Sequence, residues 1–188
     1  MLFRSTSATI RTLGSFNNFK KNVGLPGNSE CKAVEGAFNF FNAGSLLIPD
    51  IGVDASDSTA HTVALIKKLP QLIDSNEGTL VLFSSRRQMD QVFDGLSGDF
   101  KKKILTQGLF THHEIVCRHK QAIDENNGSI IFGLASFAEG MDFPGDYCRH
   151  VILAKIPFSV PDDLIYSTLS EWIVEQRGYP FMELMFPE

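Results

Sequence analysis

Thr79-Leu80-Val81-Leu82-Phe83 is an unbroken apolar run between Gly78 and Ser84-Ser85. Five residues are too few for a buried helix, and the lack of polar alternation fits a strand covered on both faces, as in a parallel sheet. Parallel neighbours need long crossovers, usually helical, so the run predicts its own surroundings. The surroundings agree. Met89, Val92, Phe93 and Leu96 fall at i, i+3, i+4 and i+7 behind Ser84-Ser85, predicting a helix that these serines can cap. Lys103 to Thr106 predicts a second strand, and 112–125 a helix with Ile115, Val116, His119, Ala122 and Ile123 turned inward. Ser129-Ile130-Ile131-Phe132 and His150 to Ala154 predict the third and fourth strands. The reading is α/β, a parallel sheet flanked by helices.

Upstream the pattern changes. Gly14, Gly24, Pro26, Gly27, Gly36 and Gly44 break any period in residues 1–45, which read as irregular, ahead of an α/β domain over 46–188. Leu46-Leu47-Ile48 reads as a short strand ended by Pro49. Thr59 to Asp74 reads as a helix that Pro70 should kink or break. A chain of 188 residues that is 43% hydrophobic and 21% charged builds a core and is no disordered tail. With 17 basic against 22 acidic residues the net charge is −5, so no global basic field points to nucleic acid, though a local groove can still be positive. Cys31, Cys117 and Cys148 form no C-x-x-C and read as reduced thiols rather than a disulfide framework or metal site. The apolar runs are too short to span a membrane, and Met1-Leu2-Phe3-Arg4 leads into polar residues rather than a signal core. The expected compartment is the cytoplasm.

Parallel sheets present ligand loops at the carboxyl ends of their strands. Here those ends are Ser84-Ser85, Gln107-Gly108, the loop from Gly133, and Lys155-Ile156-Pro157. The loop from Gly133 carries Ser136, Glu139, Gly140, Asp142 and Asp146. Gly140 allows close backbone approach and Ser136 can donate to a phosphate oxygen, whereas the carboxylates suit water or magnesium ordering. On chemistry alone, an acidic turn with a capping serine competes with that reading. Phe137 reads as core packing rather than base stacking, since the chain has 16 Phe. His112, His113 and His119 read as ordinary histidines rather than metal ligands, and Lys101-Lys102-Lys103 as a solvated strand entry.

The string Ser136-Phe-Ala-Glu-Gly-Met-Asp-Phe-Pro-Gly-Asp146, placed between two strands, closely resembles motif V of the DinG/XPD-type ATP-dependent DNA helicases. Ser5-Thr6-Ser7-Ala8-Thr9-Ile10 resembles motif III, Val81 to Ser85 is similar to motif IV, and Gln107 stands where the family has a glutamine. Lys155-Ile156-Pro157-Phe158 with Pro161, and Gly178-Tyr179-Pro180-Phe181, resemble the segment between motifs V and VI. The resemblance covers nearly all of the chain and is nearest to the bacterial DinG branch. It implies an incomplete RecA-like second motor domain over 46–188, preceded by the tail of the first motor domain and a linker over 1–45.

By the same resemblance, Thr6, Ser7, Thr9, Ser84, Ser85, Gln107 and Ser136 would contact single-stranded DNA, while Glu139, Gly140 and Asp142 would face the ATP cleft. ATP and Mg2+ are implied for the complete enzyme, with 5′→3′ translocation and a part in genome maintenance. An iron–sulfur cluster would belong to the part not present here. None of the 15 glycines precedes a lysine, so no phosphate loop occurs, nor does a D-E-x-H box or a Q-x-x-G-R-x-x-R string. The catalytic groups are thus not in this chain, and its expected partner is the remaining motor domain. A split gene, a frameshift or a truncation would leave such a piece. The alternative is a non-catalytic DNA-binding or regulatory remnant. A dehydrogenase-type nucleotide fold is disfavoured by the missing G-x-G-x-x-G.

Overall fold

The computed structural model describes residues 10–11, 14–36, 40–134, 137, 141–156 and 164–181. The chain divides into two compact units, Ile48–Pro157 on the one hand and Met1–Leu47 with Phe158–Glu188 on the other. In chain order, α1 (Asn17–Asn22) and α2 (Phe40–Ala43) lie in the second of these. The unit Ile48–Pro157 holds α3 (Ser58–Leu72), β1 (Gly78–Leu82), α4 (Arg86–Gly95), α5 (Gly98–Lys101) and β2 (Ile104–Thr106). It continues with α6 (His112–Asp124), β3 (Ser129–Gly133), a 3-10 turn at Gly145–Cys148, and β4 (His150–Leu153). The helix α7 (Leu164–Glu175) returns to the other unit and buries Ile173.

The four strands form one sheet in the order β2-β3-β1-β4, and every pairing is parallel. The α/β expectation holds. Leaving β1, the chain crosses β3 to reach β2 and then turns back to β3. Right-handed crossovers in opposite directions put their helices on opposite faces. Accordingly, Met89 and Val92 of α4 join Leu65 and Leu69 of α3 against Val81, Ile130 and Phe132. Ile115 of α6 packs on the other face with Leu80, Ile131 and Phe137. Adjacent residues of β1 and β3 thus serve two separate cores, so neither strand shows polar alternation.

Three local expectations are corrected. Leu46, Leu47 and Ile48 form no strand and are exposed. Three residues hemmed in by Gly44 and Pro49 make too few ladder bonds to offset their ordering without a sheet edge to receive them. Pro70 does not interrupt α3, because it sits in the last turn and only the bond to the Ile66 carbonyl is forgone. Ser85 holds the N-cap position of α4, yet its side chain makes no capping bond. Side-chain caps form instead on α3, where the Asp57 carboxylate accepts from Thr59 and Ala60 N–H, and on α6, where Thr111 Oγ1 accepts from Glu114 N–H and the Glu114 carboxylate accepts from Thr111 N–H. Bonding to Thr111 lowers the Glu114 pKa.

Candidate functional site

β1 and β3 are neighbours whose outgoing chains leave toward opposite faces, α4 to one and Phe137, Met141 and Phe143 to the other. Such divergence marks the switch point of the sheet, and it is at the carboxyl ends of the strands there that α/β sheets receive ligands. The strand ends are locked in series beyond the ladder proper. Phe83 N–H donates to the Gly133 carbonyl at 2.9 Å, Gln107 N–H to Phe132 at 2.9 Å, and Ala154 N–H to Leu82 at 2.9 Å. At β4 the chain continues into Lys155, whose Nζ donates to the Ala55 carbonyl at 3.0 Å.

Of the residues singled out in the sequence, Ser84, Ser85 and Gln107 come together along this edge. Both serines are exposed. Gln107 is half-buried and looks inward, its Oε1 accepting from Leu134 N–H at 2.8 Å. Asp142 is exposed. Thr6, Ser7, Thr9, Ser136, Glu139 and Gly140 lie outside the described residues. Asp146, read as part of the same loop, is not at this edge. A chain entering a parallel strand must first return to the amino edge, and there Asp146 pairs with Arg149 at 3.0 Å. An open cleft of about 550 Å3 lies there, lined by Glu77, Asp124, Asp146, Tyr147 and Arg149 among others.

Phe137 is a core residue. Its side chain lies where a Cβ on Gly133 would come within 2.7 Å, and the His112 ring meets it edge-on at 4.2 Å. His119 is buried and its Nε2 lies 2.6 Å from the Tyr147 carbonyl, while His113 Nε2 lies 3.5 Å from Cys117 Sγ. The lysine run is less solvated than expected. Lys101 and Lys103 donate to the carbonyls of Asp94 and Ser75, both at 2.7 Å, and Lys102 pairs with Asp99 at 2.9 Å. These lysines precede β2, at the edge opposite the carboxyl ends of the strands.

Sequence reading missed Arg86, the first residue of α4. It is exposed, and its Nη1 donates to the Gln107 carbonyl at 3.0 Å. The signal was present in Arg86-Arg87 directly behind the two serines, but which basic residues reach a strand end depends on the fold. Among the described residues no three of His, Cys, Asp or Glu come together as a ligand set. Cys31 and Cys117 are exposed free thiols and Cys148 is half-buried. Among the described residues, too, no helix is long and apolar enough to cross a membrane.

Residues 52–188 match the family model described as the helicase C-terminal domain. The ATP-dependent DNA helicase DinG of Photobacterium profundum is 36% identical over 187 residues, covering 97% of this chain and 27% of that protein. The protein of the same name from Escherichia coli strain K12 is 31% identical over 182 residues, covering 94% and 25%. The chain thus spans about a quarter of the length of the curated relatives it matches. With the family model covering the whole of the parallel sheet, the chain belongs to the helicase C-terminal domain family.

Proposed function

We propose that this chain is the strand-engaging second motor portion of a DinG-type ATP-dependent DNA helicase, binding single-stranded DNA at its carboxyl edge and coupling it to ATP hydrolysis. ATP would lie between this portion and the first motor domain, and translocation would run 5′→3′ in the cytoplasm. The observation that carries the reading is the gathering of exposed Ser84 and Ser85 with Gln107 and the start of the Gly133 loop on one edge of an all-parallel sheet. Hydroxyls and N–H groups there suit phosphodiester oxygens and need no basic protein overall. Catalysis of phosphoryl transfer rests on positioning and charge stabilisation, and the phosphate-loop, D-E-x-H and Q-x-x-G-R groups for it are not in this chain. Asp142 would serve the cleft, where a carboxylate can order water or magnesium rather than meet the strand's phosphates directly.

The test is a pair of variants. Ser84→Ala with Ser85→Ala should weaken binding of a labelled single-stranded oligonucleotide by about 0.5–1.5 kcal/mol per lost hydrogen bond. Joined to a DinG-type first motor domain, Asp142→Ala should lower DNA-stimulated ATP turnover more than DNA affinity. If both changes alter both assays equally, the assigned division of labour is wrong.

A further inference from the structure

Three strand ends on the carboxyl edge are tied together through one residue. The Gln107 side-chain oxygen accepts from Leu134 N–H at 2.8 Å, at the first step of the loop leaving β3. Its backbone carbonyl accepts from Arg86 Nη1 at 3.0 Å, at the first turn after β1. Gly108, next in the chain, has φ +106°, and a Cβ there would come within 2.5 Å of the same Nη1. Glycine therefore serves twice: it takes a backbone conformation costly for other residues, and it leaves the guanidinium room to sit over the turn. Among the described residues the acidic partners of ion pairs go to Lys102 and Arg149, and none neutralises Arg86. An exposed guanidinium has five donors, and the Gln107 carbonyl uses only one. The fork is thus braced on one side and open on the other, in a protein whose net charge is −5.

We propose that Gln107 is a positioning residue that couples the Gly133 loop to Arg86, and that Arg86 is the charged contact to a phosphodiester of the bound strand. Gln107 itself does not touch the strand. A shift of Leu134 moves the Gln107 side chain, and the Gln107 carbonyl and Gly108 turn carry the guanidinium with them. This inference rests on the reading that the carboxyl edge binds single-stranded DNA.

The experiment is a double-mutant cycle on the full 188-residue chain, with fluorescent oligothymidylate titrated at several salt concentrations. Arg86→Gln should weaken binding several-fold and reduce the slope of log K against log salt by about 0.7, the share of one phosphate on a single strand. Gln107→Met keeps the length but removes the acceptor. It should weaken binding less, and added to Arg86→Gln it should cost nothing further, because its effect passes through Arg86. Hydrogen exchange supplies the independent readout: Leu134 N–H should lose protection in Gln107→Met and keep it in Arg86→Gln. Additive losses would mean that Gln107 contacts the strand directly, overturning the coupling. An unchanged salt slope in Arg86→Gln would overturn the phosphate contact. A wild-type chain that fails to bind the probe at any salt would overturn the DNA-binding reading itself, and this inference with it.

Discussion

His119 lies buried on α6, with Nε2 bonded to the Tyr147 carbonyl and Nδ1 buried with no partner among the described residues. A carbonyl only accepts, so Nε2 carries the hydrogen and the bare Nδ1 would have to be protonated without a counter-group. Burial is the main cause that pushes its pKa below 6.5; the Tyr147 bond opposes the shift and Lys120 adds to it. His61 on α3 is similar. It is buried against Gln88 of α4, whose Nε2 lies 3.0 Å from His61 Nδ1 and 3.3 Å from Thr62 Oγ1, and burial with the nearby Lys155 lowers its pKa. Below about pH 6.5 the unfolded chain takes up protons that the folded chain refuses, so stability present at neutral pH is lost as pH falls. Urea unfolding at about pH 7.5 and about pH 5.5 should show that loss. His119→Gln, which keeps a donor for Tyr147, should lessen it; an equal loss in the variant would show that His119 is not a source. At the same scale, Gln107 shows what a sequence cannot tell. Its place at a strand end was legible, but the inward turn of its side chain toward Leu134 was not, because that depends on where β3 ends beside it.

The strands show how one apolar pattern covers two different environments. β1 and β3 are central and buried almost throughout, whereas β4 alternates half-buried and exposed. Val151 pairs with Leu80 and Leu153 with Leu82, yet α6 does not reach over them and both are 55% exposed. Ile130 and Ile131 are fully buried on opposite faces. Ile130→Ala or Ile131→Ala should therefore cost about 2–5 kcal/mol in urea unfolding, with Val151→Ala under about 0.5. A Val151→Ala cost as large as that of Ile131→Ala would place a cover over β4. Strand existence was readable from apolar runs, because a short unbroken run has few other ways to be buried. The exposure of β4 was not, because strand order decides which strand stands at the edge.

For the whole chain, the chemistry of the proposed motor divides between parts. No phosphate-loop lysine, D-E-x-H box or Q-x-x-G-R string occurs in the 188 residues. The purified chain should turn over no ATP, with or without single-stranded DNA, in a coupled-enzyme assay. Robust turnover abolished by Asp142→Ala would defeat that expectation and place catalytic groups within this chain. By itself the sequence determined the α/β class, the parallel sheet and the family, because apolar periodicity and a long local string survive without knowledge of any distant contact. The tertiary structure alone decided the order β2-β3-β1-β4, the separation of Asp146 from the edge that holds Ser84 and Gln107, and the seating of Arg86 over Gly108. Each of these depends on residues far apart in sequence meeting in space. Their pairing is set by crossover direction and side-chain packing, which no local pattern encodes.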